Sequence, residues 1–282
     1  MNARLVSADT ANADDLVRPA VRRSVTASTG WTGTARRAIG PIAFVGLWAI
    51  ATSAGWIDPS VLPSPHTVID TSISLWRDQD LLGQIGISLG RAATGGLLGI
   101  AIGLLIGLVA GLVRLGEELF DALLQMLRTI PFLALVPLFI VWFGIGELPK
   151  ILLIALAVTF PMYLNTYSGV RNIDRKVIEV ARCFGLSGAR LVWTVILPLA
   201  LPSILTGLRL SLGIAVLVLI AAEQINASAG LGYLLNSAQL YQQVDVILIC
   251  IAIYAVLGLS TDLIVRLLER LLMPWHGDAA AG

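Results

Sequence analysis

The chain has 282 residues, of which 57% are hydrophobic and 13% charged, and a mean hydropathy of +0.85. A chain this apolar carries too little polar surface for a soluble domain of its size, so it belongs in a membrane. A formal net charge of +1 excludes nucleic acid as a partner, because phosphate neutralisation needs clustered excess Lys and Arg.

Residues 1–38 are rich in Ala, Ser, Thr and Arg without sustained apolar periodicity, which predicts a disordered cytoplasmic tail. A cleavable secretory signal is not expected, since the first apolar run begins only near Ile39, behind Arg36 and Arg37. That run reaches Trp56, about 27 Å at ~1.5 Å per residue, enough for a first span. From Ile57 to Gly83 the chain turns polar, with Pro59, Pro63 and Pro65 and then a surface helix carrying Ile69, Ile73 and Trp76. Residues 39–83 are therefore expected to form the first transmembrane helix and an extracytoplasmic linker.

A second span is predicted over Ile85–Val113, where Gly95, Gly99, Gly103, Gly107 and Gly111 recur every fourth residue. Lipid supplies no hydrophobic drive between helices, so close backbone approach along such a stripe provides the dispersion contact. Tight packing within the bundle is favoured over a dedicated dimer seam. After Arg114, the amphipathic segment GEELFDALLQMLR leads into a third span ending near Phe143, which Pro131 and Pro137 should kink. The turn GIGELPK separates it from a fourth span, Ile151–Ser168, containing Pro161.

Next comes a charged island, Arg171–Pro198. Asp174 is placed to cap a helix and Gly185 to stop it, with Val177, Val180, Ala181 and Phe184 sharing a face. Ser187 is expected to cap a second short helix, and Pro198 and Pro202 to limit regular helix as the chain re-enters lipid. A fifth span is predicted from Leu201 to Ala222, then a small and polar stretch, EQINASAGLGYLLNSAQLYQQVD, and a sixth span from Val244 to Leu263. Six crossings put both termini on one side. Arg36, Arg37, Arg114, Arg128, the Arg171–Arg190 cluster, Arg266 and Arg270 share that face, against Arg77 and Lys150 on the other, so it is cytoplasmic. Residues 269–282 then form a cytoplasmic tail. Cys183 and Cys250 are distant in any such arrangement, and free thiols are expected, with no disulfide and no metal site.

Glu179, one residue, Ala181, three residues, Gly185, nine residues and Val195–Pro198 together resemble the EAA signature of ATP-binding-cassette importer permeases. The resemblance extends over roughly 62–275, through QMLRTIPFLALVPLFIVWFGIGELPK, FPMYLNTYSGVRNIDRKVIEVARCFGLSG, ILPLALPSILTGLRLSLG and AAEQINASAGLGYLLNSA. These stretches look like permeases of aliphatic-sulfonate importers, in the group that includes taurine and nitrate systems. The resemblance implies an all-α integral membrane protein of the type I (MetI-like) fold with its core over 84–268 and a coupling loop over 171–198. It also implies a homodimer in the cytoplasmic membrane, a pair of cytoplasmic ATPase subunits, an extracytoplasmic substrate-binding protein and a small anionic substrate. ATP and Mg would sit on the partner ATPase, with no cofactor on this chain and no catalytic residue in it. Glu179, Val180, Ala181, Arg182, Phe184, Gly185 and Leu186 would make the ATPase contact.

Arg91, Arg209, Glu223 and Gln224 lie within or at the ends of spans, where ionisable groups seldom face lipid. Two readings stay open for them: an anion path with Glu223 in a gate, or structural pairing and snorkelling. Rival functions fit less well. GISLG, Gly86–Gly90, matches the G-x-S-x-G nucleophile pattern, but the only histidines, His66 and His276, fall in the linker and the tail, away from Ser88. The chain has no G-x-x-x-x-G-K-[ST] phosphate loop, so any ATPase is another polypeptide. A stand-alone secondary transporter would want intramembrane carboxylates, and the spans offer little beyond Glu223 and Asp262.

Overall fold

The computed structural model describes residues 31–78, 80–113 and 131–273. The first thirty residues, the GEELFDALLQMLR segment with Arg114 and Arg128, and the tail beyond residue 273 lie outside the described residues. The chain divides into one unit up to Trp48 and a second from Ala49 onward. Helix α1 (Trp31–Ser53) starts ahead of the expected boundary at Ile39, taking in Ala35, Arg36, Arg37 and Ala38, which are strong helix formers.

Among the described residues every regular element is helical. In the second unit these are α2 (Pro65–Asp78), α3 (Leu81–Leu112), α4 (Phe132–Phe143), α5 (Glu147–Arg171), α6 (Arg175–Cys183) and α7 (Gly188–Leu191). After a π-helical turn at Val192–Ile196 come α8 (Leu197–Asn226), α9 (Leu231–Leu240) and α10 (Val244–Leu272). Among the described residues four stretches are long and apolar enough to cross a membrane: Leu81–Leu112, Glu147–Arg171, Gly188–Ile225 and Val244–Leu272. Ile42–Ser53 and Ala134–Phe143 are apolar but shorter.

The glycine stripe on α3 is the seam against α5. A Cβ on Gly95 would stand 2.8 Å from the Ile151 carbonyl oxygen, on Gly99 2.4 Å from that of Ala155, and on Gly103 2.5 Å from that of Thr159. Gly107 meets Thr166 and Gly111 meets Val170 in the same way. Contacts that advance in step along both helices make α3 and α5 parallel. The gap is so narrow that the Thr159 hydroxyl reaches the Gly99 carbonyl at 3.3 Å. Helix α8 packs on α5 in the opposite sense, with Gly169 against Ser203 and Gly207 against Asn165. Leu153, Ile154 and Val158 of α5, with Leu219 of α8 and Cys250 of α10, form the main core, which α9 completes with Leu231, Leu235 and Ala238.

Several sequence expectations need correction. Pro202 does not limit helix: α8 runs straight through it, as α4 runs through Pro137 and α5 through Pro161. The proline at Pro198 is accommodated one turn earlier, where the Leu197 amide donates to the Val192 carbonyl in the wider π pattern. Ser187 occupies the expected cap position of α7, yet its side chain makes no capping bond. The polar stretch after span five contains α9, because Leu231, Leu235 and Ala238 give it a buried face. Helix α10 continues to Leu272, past the expected end at Leu263 and into the expected 269–282 tail, its charged last turns held by ion pairs.

Overpacking this seam is costly. Gly99→Val is expected to cost about 1–3 kcal/mol and to lower the thermal midpoint of the detergent-solubilised protein. Gly90→Ala, whose Cβ would meet nothing within 4 Å, is expected to keep the midpoint or raise it slightly, since Ala is the better helix former. Equal midpoints for the two variants would contradict the packing.

Candidate functional site

Two of the candidate polar residues meet at the end of the bundle where α3 and α5 begin and α8 finishes. Arg91 of α3 is 4% exposed and Glu223 of α8 fully buried, and Arg91 Nη1 lies 2.6 Å from Glu223 Oε1. The same nitrogen donates to the Ala229 carbonyl at 2.6 Å. On its other edge Arg91 is paired with Glu147, through Nε to Oε2 and through Nη2 to Oε1 at 2.7 Å. Glu147 also accepts from Lys150 Nζ at 3.1 Å, and Lys150 is itself buried. Two cations therefore face two carboxylates, and the cluster is neutral. Of the four, only Glu147 is well exposed, at 54%.

Glu223 is the hub. Ser88 donates to its carboxylate at 2.8 Å, the Gly232 amide at 2.8 Å, and the Tyr254 hydroxyl of α10 at 3.4 Å. The Ser88 oxygen in turn accepts the Leu231 amide at 2.8 Å. The α8–α9 turn closes so tightly on this carboxylate that its glycines are obligatory. A Cβ on Gly230, whose φ is +111°, would lie 2.6 Å from both Arg91 Nη1 and Glu223 Oε1, and one on Gly232 would lie 2.3 Å from Glu223 Cβ. Gln224, next along, is half-buried, and its backbone carbonyl accepts from Asn236 Nδ2 at 3.0 Å.

Arg209 belongs elsewhere, nearer the other end of α8. It contacts Glu269 at 2.9 Å and Asp262 at 3.3 Å on α10, and Arg266 joins Asp262 at 2.7 Å. This second cluster is also two against two, and it is partly exposed. The four candidate path residues thus divide into Arg91 and Glu223 in a buried network, Arg209 in a partly exposed one, and Gln224 bonded to Asn236. Glu147, Lys150 and Tyr254 were missed as partners. A signal existed: an arginine within an apolar run requires a carboxylate, and Glu147 and Glu223 sit at the matching ends of neighbouring spans. Ser88, the serine of GISLG, is fully buried and bonded to Glu223, while His66 is exposed and paired with Asp70 at 2.9 Å. Among the described residues no group of His, Cys, Asp and Glu could hold a metal ion.

The charged island forms a third feature. The Asp174 carboxylate accepts the Lys176 amide at 2.9 Å and starts α6. At the other end Gly185, with φ +82°, reverses the chain: the Gly185 amide donates to the Arg182 carbonyl and the Leu186 amide to that of Ala181. This is the paired closure that glycine permits at a helix end. Val177, Val180 and Phe184 stand outward, Phe184 at 82% exposure, with Glu179, Arg182 and Cys183 also exposed. Ala181 differs from its expected place on that outward face. It is buried with Leu191 and Ile196, and Ile178 and Leu186 pack beside it, anchoring the elbow to the bundle.

Removing one member of a buried pair leaves the other charge uncompensated, at a cost of about 3–5 kcal/mol. Arg91→Met and Glu223→Gln are each expected to lower thermal stability by that order, while the double variant recovers part of the loss. Additive losses in the double variant would contradict the pairing.

The family described as binding-protein-dependent transport system inner membrane component matches residues 99–273. An aliphatic sulfonates transport permease protein of Escherichia coli K12 is 48% identical over 236 residues, covering 84% of this chain and 90% of that protein. Its Bacillus subtilis 168 counterpart is 46% identical, covering 84% and 86%, and the taurine transport system permease of Escherichia coli K12 is 36% identical, covering 82% and 86%. Inward-facing structures of the MetNI methionine ABC transporter align with a TM-score of 0.55 at 21% identity, over 66% of this chain and 94% of theirs. An amino acid ABC transporter structure aligns at 0.58 and 20%, over 70% and 97%. At those identities the structural likeness speaks for the fold alone, which is MetI-like. With the family match spanning most of the bundle and relatives this similar over four-fifths of its length, the chain belongs to the inner membrane permease subunits of binding-protein-dependent ABC importers.

Proposed function

We propose that this permease carries aliphatic sulfonates, taking them from an extracytoplasmic binding protein and releasing them to the cytoplasm. The carrying observation is likeness: 48% and 46% identity over 84% of the chain to two permeases named for that substrate, against 36% to one named for taurine. The chain itself is a non-catalytic membrane subunit, so the energy comes from a partner ATPase. The reading includes six spans, with α1 and α4 supplying the two beyond the four long ones. Both termini and α6 are cytoplasmic, and two copies pair with two ATPase subunits. The domain scheme is a tail, a first span with its linker, and a core that contains the coupling loop.

Coupling follows from the elbow. A helix seated in the groove of a moving ATPase transmits force only if it is stiff at both ends. Val180 and Phe184 offer the packing, Glu179 and Arg182 the polar contacts, and Gly185 with Leu186 the turn that sets the angle. Ala181 acts from behind, fixing α6 to the bundle. The glycine seam and the two ion-pair networks tie α3, α5, α8 and α10 to one another, so that motion at α6 reaches the far end as rigid-body displacement. There, Arg91 and Glu223 work as a latch on the α8–α9 turn. Arg91 uses four N–H contacts on two carboxylates and a carbonyl, which leaves it little for an anion. Arg209 and Gln224 remain candidates for a path.

Reconstitution of the permease with its ATPase and binding protein tests both parts. ATP-dependent uptake of an alkanesulfonate is expected to exceed that of taurine or nitrate, and the reverse order would overturn the substrate reading. Glu179→Lys and Gly185→Val should abolish uptake while membrane insertion is retained. Full uptake by both variants would refute the coupling role.

A further inference from the structure

Helix α2 carries an apolar face that neither the bundle nor the coupling machinery uses. On a wheel of about 100° per residue its side chains fall into three consecutive arcs. The first arc, Val68, Thr71, Ser72 and Leu75, is turned to the protein. Leu75 is 2% exposed in the main core, Val68 packs beside it, and the Thr71 hydroxyl donates to Asp245 Oδ2 of α10 at 2.6 Å. The second arc, Ile69, Ile73 and Trp76, is exposed by 59%, 46% and 58%. The third, from His66 through Asp70 and Ser74 to Arg77 and Asp78, is exposed and polar.

Apolar surface lying between a packed arc and a wet arc suits a helix lying in a bilayer surface, with protein at its side, acyl chains beneath and water above. Its position agrees. The Thr71–Asp245 bond fixes α2 at the start of α10, and α3 begins at Leu81, so α2 sits at the level where two spans enter. Both spans also expose apolar side chains, Leu82 and Leu89 on α3 and Ile251, Val256 and Leu259 on α10. Tryptophan is enriched at such boundaries, and Trp76 sits in the apolar arc. Size also selects the occupant. Three side chains, each exposing on the order of 100 Å², fall well short of the roughly 800 Å² per partner of a stable protein interface. Lipid demands no minimum area.

We propose that α2 is an interfacial helix whose Ile69, Ile73 and Trp76 enter the headgroup and acyl boundary of the leaflet where α3 and α10 begin. It then holds the entry ends of those spans at a fixed depth beside the Arg91–Glu223 network. Spin labels test this on the full chain in phosphatidylethanolamine and phosphatidylglycerol nanodiscs, with Cys183→Ser and Cys250→Ala removing the native thiols. A label at Ile73→Cys should collide with oxygen several-fold more readily than with water-soluble nickel chelate, and one at Ser74→Cys should show the opposite preference. A label at Trp76→Cys repeats the lipid-side measurement on an independent variant. Nickel preference at Ile73 and Trp76 would place the arc in water, and shielding from both reagents would place it against a second copy or another protein. Either result overturns the proposal.

Discussion

Two charges buried among apolar helices survive only by meeting each other. Removing Arg91 and Glu223 from water costs several kcal/mol for each ion, and their attraction repays this only when the remaining donors and acceptors are also satisfied. The structure supplies those partners. Ser88, Tyr254 and the Gly232 amide complete the carboxylate, while Glu147 and the Ala229 carbonyl complete the guanidinium. The requirement fixes where four helices and one turn must lie, and it explains Gly230 and Gly232 as well as the charged residues. Polar satisfaction, more than apolar matching, decides the geometry at this end.

The middle of the bundle obeys a different rule. Lipid tails are as apolar as leucine, so helices associate there through shape, and the α3 glycines let backbone touch backbone. Close approach of α3 and α5 fixes their relative depth, which brings Arg91 level with Glu147. The seam and the network thus support each other. Toward the other end of α8 the Arg209 cluster pins α10, and the inward side of α6, through Ala181 and Leu186, joins the same body.

Much of this was legible in the letters. Period-four glycines announced a close seam, and Asp174 and Gly185 bracketed α6, the helix for which the EAA-like spacing suggests the proposed ATPase contact. The limits of legibility were physical. Proline lost its force as a punctuation mark, because α4, α5 and α8 carry Pro137, Pro161 and Pro202 without ending. Residue Ala181 sits at the edge of two faces, and only packing against Leu191 and Ile196 decides which one it serves. The partner of Arg91 could not be chosen by sequence distance, since Glu147 lies 56 residues away and Glu223 132. Polarity hid α9, whose buried leucines are spaced among Asn, Ser and Gln.

In the proposed coupling, elbow and bundle move as one body when the ATPase closes. The spin–spin distance within one labelled protomer of the reconstituted complex, between Cys183 at the elbow and Leu82→Cys at the far end of α3, decides it. The same distance is expected with and without ATP, while the separation between the two copies changes. A within-protomer distance that shifts on ATP binding would show the bundle bending, and would contradict it.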